Sequence, residues 1–215
     1  MSFYRRWILA CTAGELIGIG VATGAGLTVN YVLGEPSTLP ARFTVLAIFA
    51  CVGLVEGGAL ASFEWRVLRT RVPPLPAAPW VAVTAALAVT GWLVGMTPSL
   101  FLAQNDPGTV ATEPPMVQML VIAAAGGAVA GALFGATQWM LLRRYVSRAA
   151  SWIWIHIPAW AAAMVAIFLG AMLPGNGTPA WLIAISGVSG GVLGGLLLGS
   201  ITGLVARGLT PKQRE

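Results

Sequence analysis

The stretch "SGVSGGVLGGLLLGSITGLVAR", residues 186–207, places a glycine at every fourth position: Gly187, Gly191, Gly195, Gly199 and Gly203. In water such a helix would be weak, because each interior glycine costs up to about 1 kcal/mol relative to alanine. In lipid no water competes for the backbone hydrogen bonds, and small residues let two helices approach closely. The glycine ladder therefore predicts a membrane-spanning helix whose glycine face contacts a second helix.

The rest of the chain is as apolar as this stretch. Of its 215 residues, 57% are hydrophobic and 9% are charged, whereas soluble domains carry about 25% charged residues. About 20 apolar residues span a bilayer, and six stretches qualify: about 7–33, 43–65, 80–102, 117–142, 152–173 and 180–206. These spans use nearly all of the sequence, so we predict a single all-α membrane domain and no separate soluble domain.

The basic residues gather at one end of the predicted bundle. Eleven of the twelve lysines and arginines lie there: Arg5, Arg6, Arg66, Arg69, Arg71, Arg143, Arg144, Arg148, Arg207, Lys212 and Arg214. The opposite loops hold Arg42 together with Glu35, Asp106 and Glu113. The positive-inside rule then predicts a multi-pass protein of the cytoplasmic (inner) membrane with both termini in the cytoplasm. Topology accounts for the net charge of +5, so we do not expect nucleic acid as a partner.

The even-numbered spans resemble copies of one helix. An offset of 74 residues carries Gly53, Gly57, Glu64, Trp65 and Arg69 onto Gly127, Gly131, Gln138, Trp139 and Arg143; an offset of 64 carries Gly127, Gly131 and Gly135 onto Gly191, Gly195 and Gly199. The odd-numbered spans agree more weakly, through Trp7, Trp80 and Trp154. We therefore predict three repeated αα-hairpins, about 7–72, 80–146 and 152–208, with pseudo-threefold symmetry about the membrane normal.

The glycine ladders of all three even-numbered spans are predicted helix-packing faces. They comprise Gly53, Gly57, Gly127, Gly131 and Gly135 in addition to the five glycines of the last span. A four-residue spacing drifts by roughly 40° per step around a helix, which favours right-handed crossings. We expect the even-numbered spans to form a tight centre and the odd-numbered spans to pack outside it. General glycine enrichment of membrane helices is the alternative, but it does not explain the matching positions.

Aromatic residues and the single histidine point to interfaces rather than to chemistry. Six tryptophans fall near the predicted cytoplasmic boundary, as in an aromatic belt: Trp7, Trp65, Trp80, Trp139, Trp152 and Trp154. His156 lies beside them and is predicted to belong to the belt. The sequence has no Ser-His-Asp set, phosphate loop or HExxH motif. We therefore predict no enzyme activity, no metal site and no cofactor.

Glu64 is predicted to be a polar residue of the interface. Its repeat partners Gln138 and Thr202 are also polar, and all three lie about one turn from the cytoplasmic boundary. A side chain at that depth can accept a hydrogen bond from a nearby arginine, such as Arg69, and Arg143 holds the same position after Gln138. This pattern favours a structural role.

Glu15 and Glu56 differ because they break the repeat. Glu15 lies about 12 Å in depth beyond Trp7, and Glu56 lies about 13 Å beyond Trp65, so both reach the same level of one hairpin. Facing carboxylates cannot both be ionised at low cost, so the pair would hold a proton or a cation. The alternative is that each carboxyl stays protonated and bonds to a neighbour such as Thr12.

Residues 131–160, "GALFGATQWMLLRRYVSRAASWIWIHIPAW", resemble the hairpin repeats of uncharacterised bacterial multipass membrane proteins. The shared pattern is G-x-x-x-G-x-x-Q-W-x-x-L-R-R, carried here by Gly131, Gly135, Gln138, Trp139, Leu142, Arg143 and Arg144. The resemblance implies an integral membrane location and adds no activity or ligand.

Two classes of function fit these observations. The first is a non-catalytic accessory or scaffold protein of the lipid bilayer, whose packing faces serve a membrane-protein partner or a homo-oligomer. The second is a small transporter or solute-binding membrane subunit in which Glu15 and Glu56 bind a proton or a cation.

Overall fold

The computed structural model describes residues 1–102, 115–175 and 177–212. Within these ranges six helices are long and apolar enough to cross a membrane: α1 Phe3–Leu33, α2 Leu39–Leu68, α3 Ala77–Thr97, α4 Met116–Leu142, α5 Ser151–Met172 and α6 Ala180–Ala206. A π-helical turn, Pro98–Leu102, extends α3. The all-α, six-span fold predicted from composition is confirmed. Asp106, Glu113 and Arg214 of the predicted charge pattern lie outside the described residues.

The helix ends follow local chemistry. Hydroxyl side chains cap α1 and α2, where Ser2 accepts from the Arg5 backbone N–H and Thr38 from that of Ala41. An arginine stands at the C-cap of each even-numbered helix, namely Arg69, Arg143 and Arg207. A cation there stabilises the negative end of the helix dipole. We call the end of the bundle that carries these arginines and the N-terminus the basic end.

The six helices form a ring in chain order. Each helix packs extensively on the next and α6 packs on α1, except that α3 and α4 touch only sparsely. The glycine ladders occupy three of these interfaces. A Cβ atom at Gly57 would lie 2.6 Å from the Cα of Ala85 in α3, and one at Gly195 would lie 2.6 Å from the Cα of Thr12 in α1. The backbones approach so closely that a methyl group would not fit.

The ladder of α4 shows the same geometry against α5. A Cβ atom at Gly127 would lie 2.5 Å from the carbonyl oxygen of Trp160, and one at Gly135 would lie 2.8 Å from the Cα of Ile153. Every glycine predicted to pack, including Gly53, Gly131, Gly187, Gly191, Gly199 and Gly203, faces atoms of a neighbouring odd-numbered helix. Each ladder therefore contacts the next helix of the ring.

The expectation that the even-numbered helices form the centre is wrong. In the described residues α2, α4 and α6 make their extensive contacts with odd-numbered helices and not with one another. A four-residue spacing defines a face of a helix but does not identify its partner, and the adjacent helix supplies the close backbone. The pseudo-threefold hairpin symmetry stays a prediction, and the sparse α3–α4 contact departs from it.

Three tryptophans fill the ring near the basic end. The rings of Trp7 and Trp80 each lie edge-on to that of Trp152, with centroids 5.7 and 6.1 Å apart, and all three residues are fully buried. The assignment of these residues to a lipid-facing belt is wrong, because their indoles point into the bundle. Trp152 takes the position predicted for Trp154, which is 71% exposed.

Connecting segments close the basic end over these tryptophans. Their buried side chains are Val72, Leu75, Val146, Ala149 and Leu209. The Lys212 backbone N–H donates to the Tyr145 carbonyl oxygen at 2.8 Å, and Val146 pairs with Pro211 in an isolated antiparallel bridge. The C-terminal segment is therefore tied to the loop between α4 and α5.

Candidate functional site

A ring of buried polar side chains lies against the tryptophans. We call Glu64, Gln138 and Thr202 the polar ring; all three are at most 2% exposed. Gln138 Oε1 accepts from Trp152 Nε1 at 2.8 Å, and Thr202 Oγ1 accepts from Trp7 Nε1 at 2.9 Å. The Trp80 indole lies beside Glu64, yet Trp80 Nε1 and Glu64 Oε2 have no hydrogen-bond partner of normal geometry in the described residues. Each polar-ring residue thus faces one tryptophan, and one pair is incompletely bonded.

A second set of polar residues follows the tryptophans by four positions. Gln138 Nε2 donates to Thr84 Oγ1 at 3.0 Å. Cys11 Sγ donates weakly to Glu64 Oε1 at 3.9 Å. His156 Nδ1 lies 2.7 Å from the Trp152 carbonyl oxygen. The first contact joins α4 to α3, the second joins α1 to α2 and the third lies within α5, and all the side chains involved are buried.

The predicted interface pairing of Glu64 with Arg69 is wrong. Glu64 points into the ring, whereas the Arg69 guanidinium lies over the Trp65 ring with 4.9 Å to its centroid. Arg143 stacks in the same way on Trp139, at 4.8 Å. The aromatic faces attract the arginines, and their charged ends keep contact with water. Glu64 and Gln138 are therefore interior residues.

The assignment of His156 to the belt is also wrong. The residue is 1% exposed, and its imidazole lies against the Trp152 ring with 4.7 Å between centroids. The neighbouring glycine ladder of α4 makes this burial possible, since a Cβ atom at Gly135 would lie 3.1 Å from the Cβ of His156.

Glu15 lies deeper in the ring and is fully buried. Neither carboxyl oxygen has a hydrogen-bond partner in the part of the chain that the structure describes. Its stem packs on Gly195, where a Cβ atom would lie 3.0 Å from the Cβ of Glu15. Thr12, the neighbour that the sequence suggested, donates instead to the Ile8 carbonyl oxygen at 2.8 Å. Glu15 is therefore an unpartnered carboxyl group in the membrane interior.

Glu56 lies across from Glu15, between α1 and α3. Its stem occupies the space above Gly18, where a side chain on α1 would collide with it. The Trp92 indole N–H donates to Glu56 Oε2, and the Trp92 ring stacks on Phe49 with centroids 5.0 Å apart. An apolar cluster containing Phe49 and Val52 covers this side of the site.

Three carboxyl groups are buried on the neighbouring helices α1 and α2, namely those of Glu15, Glu56 and Glu64. Glu15 lies within Coulombic range of both Glu56 and Glu64, and we call these three residues the carboxyl array. The polar neighbours Trp92, Thr84 and Cys11 were missed from the sequence. Thr84 and Cys11 could have been found from their shared spacing of four residues after Trp80 and Trp7, but no sequence signal links Trp92 to Glu56.

The described clefts lie away from the carboxyl array. Two shallow clefts of about 440 Å³ each are described, one beside Thr44 and Cys51 and the other beside Tyr31 and Thr178. Neither is lined by Glu15 or Glu56. In the described ranges no group of three or more His, Cys, Asp or Glu residues is placed to hold a metal ion. The three residues of the array are themselves buried, with at most 7% of any of them exposed.

Comparison with known proteins adds no assignment to this geometry, so the resemblance of residues 131–160 to uncharacterised membrane proteins stays a prediction. No family model, no curated protein and no solved structure matches the chain.

Proposed function

We propose that the protein is a non-catalytic accessory or scaffold protein of the membrane. The observation that carries this proposal is the filling of the ring interior by its own side chains, from the tryptophans through the polar ring to the carboxyl array. The described clefts lie at the periphery. We therefore propose that the protein functions by binding partners through its outer helix faces. Its partners would be lipid and a membrane protein or a second copy.

The outer face of α3 is the partner face that the packing favours. Gly91 and Gly95 are exposed, and a Cβ atom at either position would meet open space. They share the four-residue spacing that the glycine ladders use for close helix contact. They also lie on a helix that makes little contact with its neighbour α4.

The test replaces Gly91 and Gly95 together with leucine and measures oligomeric state and co-purifying proteins from native membranes. Because both positions are open, we expect unchanged folding and loss of association. The matched control makes the same change at Gly20 and Gly24 of α1, where the space is also open. If the native protein has no partner and no oligomer, or if the α3 variant keeps them, the proposal for this face is wrong.

A second candidate function is a small transporter or solute-binding subunit in which Glu15 and Glu56 bind a proton or a cation. The unpartnered carboxyl of Glu15 favours it, since an ionisable group is costly inside a membrane and is retained where it has a function. The two carboxyl groups would act together rather than as separate structural bonds.

Proteoliposome flux tests the second candidate. Glu15→Gln and Glu56→Gln, singly and together, should abolish proton- or cation-coupled flux while the protein still folds. Glu35→Gln is the matched control, because Glu35 is an exposed acid in the loop between α1 and α2. Flux that survives the double substitution would remove the transport role from these residues.

A further inference from the structure

The carboxyl array has no cationic side chain within it. None of the arginine or lysine side chains in the described ranges is buried, and the basic residues lie at the ends of the helices. Three ionised carboxylates together would therefore leave three uncompensated negative charges in a low-dielectric interior. Such a group costs many kcal/mol unless it is neutralised. The neutralising species is either protons or a metal cation.

The supply of ligand atoms decides between these two. Calcium takes six to eight oxygen ligands, and magnesium requires six in octahedral geometry. Neither carboxyl oxygen of Glu15 has a hydrogen-bond partner in the described residues. One oxygen of Glu56 already accepts the Trp92 N–H.

In the described ranges Glu15 and Glu56 belong to no group of three or more His, Cys, Asp or Glu residues that is placed to hold a metal ion. Gly195 lies beneath the stem of Glu15, and Gly18 lies beneath that of Glu56. A metal ion between them would therefore find too few side-chain ligands among the described residues to complete its shell. A proton needs one oxygen atom and no shell.

We infer that Glu15, Glu56 and Glu64 form one site that holds protons and not a metal cation. The inference rests on the second candidate function and deepens it, because it names the occupant and adds Glu64 as a third member. Glu64 extends the site from the middle of the ring to the polar ring near the basic end, where Cys11 and Gln138 adjoin it. The site therefore runs along the α1–α2 interface over about two helical turns.

Infrared spectroscopy of the whole protein in lipid tests this inference without any transport measurement. A carboxylic acid absorbs in a region separate from that of carboxylates and amides. We expect such an absorption in the native protein. In Glu15→Gln it should decrease by the amount that one carboxylic acid group contributes. Glu56→Gln and Glu64→Gln provide the same reading if Glu15→Gln fails to fold. Glu35→Gln, the exposed acid, should leave the absorption unchanged.

A second series of infrared spectra, recorded in choline, sodium, lithium and calcium salts, tests whether a metal cation can replace the protons. Protons as occupants predict the same carboxylic acid absorption in all four. Absence of the absorption from the native protein, or its replacement by carboxylate absorption when one of the metal salts is added, would overturn the inference. A protein that passes this test but shows no flux keeps its proton site and loses only the transport role.

Discussion

At the residue scale, the polar ring places three different side chains beside three buried tryptophans. Gln138 accepts from Trp152 through one amide atom and donates to Thr84 through the other. Thr202 accepts from Trp7 and donates to the Leu198 carbonyl oxygen at 2.6 Å. Glu64 also lies beside a tryptophan, Trp80, but Glu64 Oε2 and the Trp80 N–H have no hydrogen-bond partner in the described residues. The acid is therefore the least well satisfied of the three.

Glu64→Gln should be neutral or stabilising, because an amide can accept from Trp80 as Gln138 accepts from Trp152. A buried polar group without a hydrogen-bond partner costs about 1–3 kcal/mol, and the amide would relieve part of that cost. Gln138→Glu is the matched control and should destabilise by about 1–3 kcal/mol, since it replaces the amide N–H donor to Thr84 and buries a fourth acid in the ring. Thermal unfolding in lipid nanodiscs measures both. A larger loss in Glu64→Gln than in Gln138→Glu would contradict this account.

Trp92→Phe separates two contributions of one side chain. The phenyl ring keeps the stack on Phe49, whereas the N–H donor to Glu56 is removed. A neutral acceptor predicts a loss of about 1 kcal/mol, and an ionised one about 1.5–3 kcal/mol. We expect the smaller value, measured as the change in unfolding free energy. The control is Trp92→Phe in the Glu56→Gln background, where the loss should be of similar size.

At the element scale, the close helix contacts make adjacent glycines unequal. A Cβ atom at Gly127 would collide with the Trp160 carbonyl oxygen in α5, whereas one at Gly126 would meet open space. Gly127→Ala should therefore destabilise by about 1–3 kcal/mol through overpacking, and Gly126→Ala should change stability little. The same comparison holds on α2, where Gly57 faces Ala85 and Gly58 faces open space. Equal effects of the two substitutions in either pair would mean that the backbones are not in close contact.

The helices themselves could be predicted from the sequence, but their neighbours could not. Hydropathy identifies six spans because the bilayer demands about 20 apolar residues in each. The glycine spacing identifies the contact face of α6, yet nothing in Gly195 specifies that Thr12 lies opposite. Trp152 and Trp154 are two residues apart and lie on different faces of α5. Aligning Trp154 rather than Trp152 with Trp7 and Trp80 therefore assigned an exposed residue to the position that Trp152 occupies in the bundle. Burial depends on the partner helix, and local periodicity does not contain that information.

At the scale of the whole molecule, the ring inverts the usual distribution of polarity. Large apolar side chains such as Val129 and Leu204 are exposed, as lipid requires, whereas carboxyl, amide, imidazole and hydroxyl groups are buried. The basic end adds a second asymmetry, because its arginines lie at helix ends over aromatic rings. The orientation of the protein is therefore defined by the side of the membrane that the basic end faces.

Side-specific labelling tests the orientation that the charge pattern predicts. Both cysteines are free, so a background without them accepts single reporters: Ser147→Cys at the basic end and Ser37→Cys in the loop between α1 and α2, both exposed positions. The positive-inside rule predicts that a membrane-impermeant maleimide labels Ser37→Cys in intact cells and labels Ser147→Cys only after the membrane is opened. Detergent-solubilised protein is the control, in which both positions should react fully. Labelling of Ser147→Cys in intact cells would place the arginines on the outside, and the helix-end cations would then have a packing role alone.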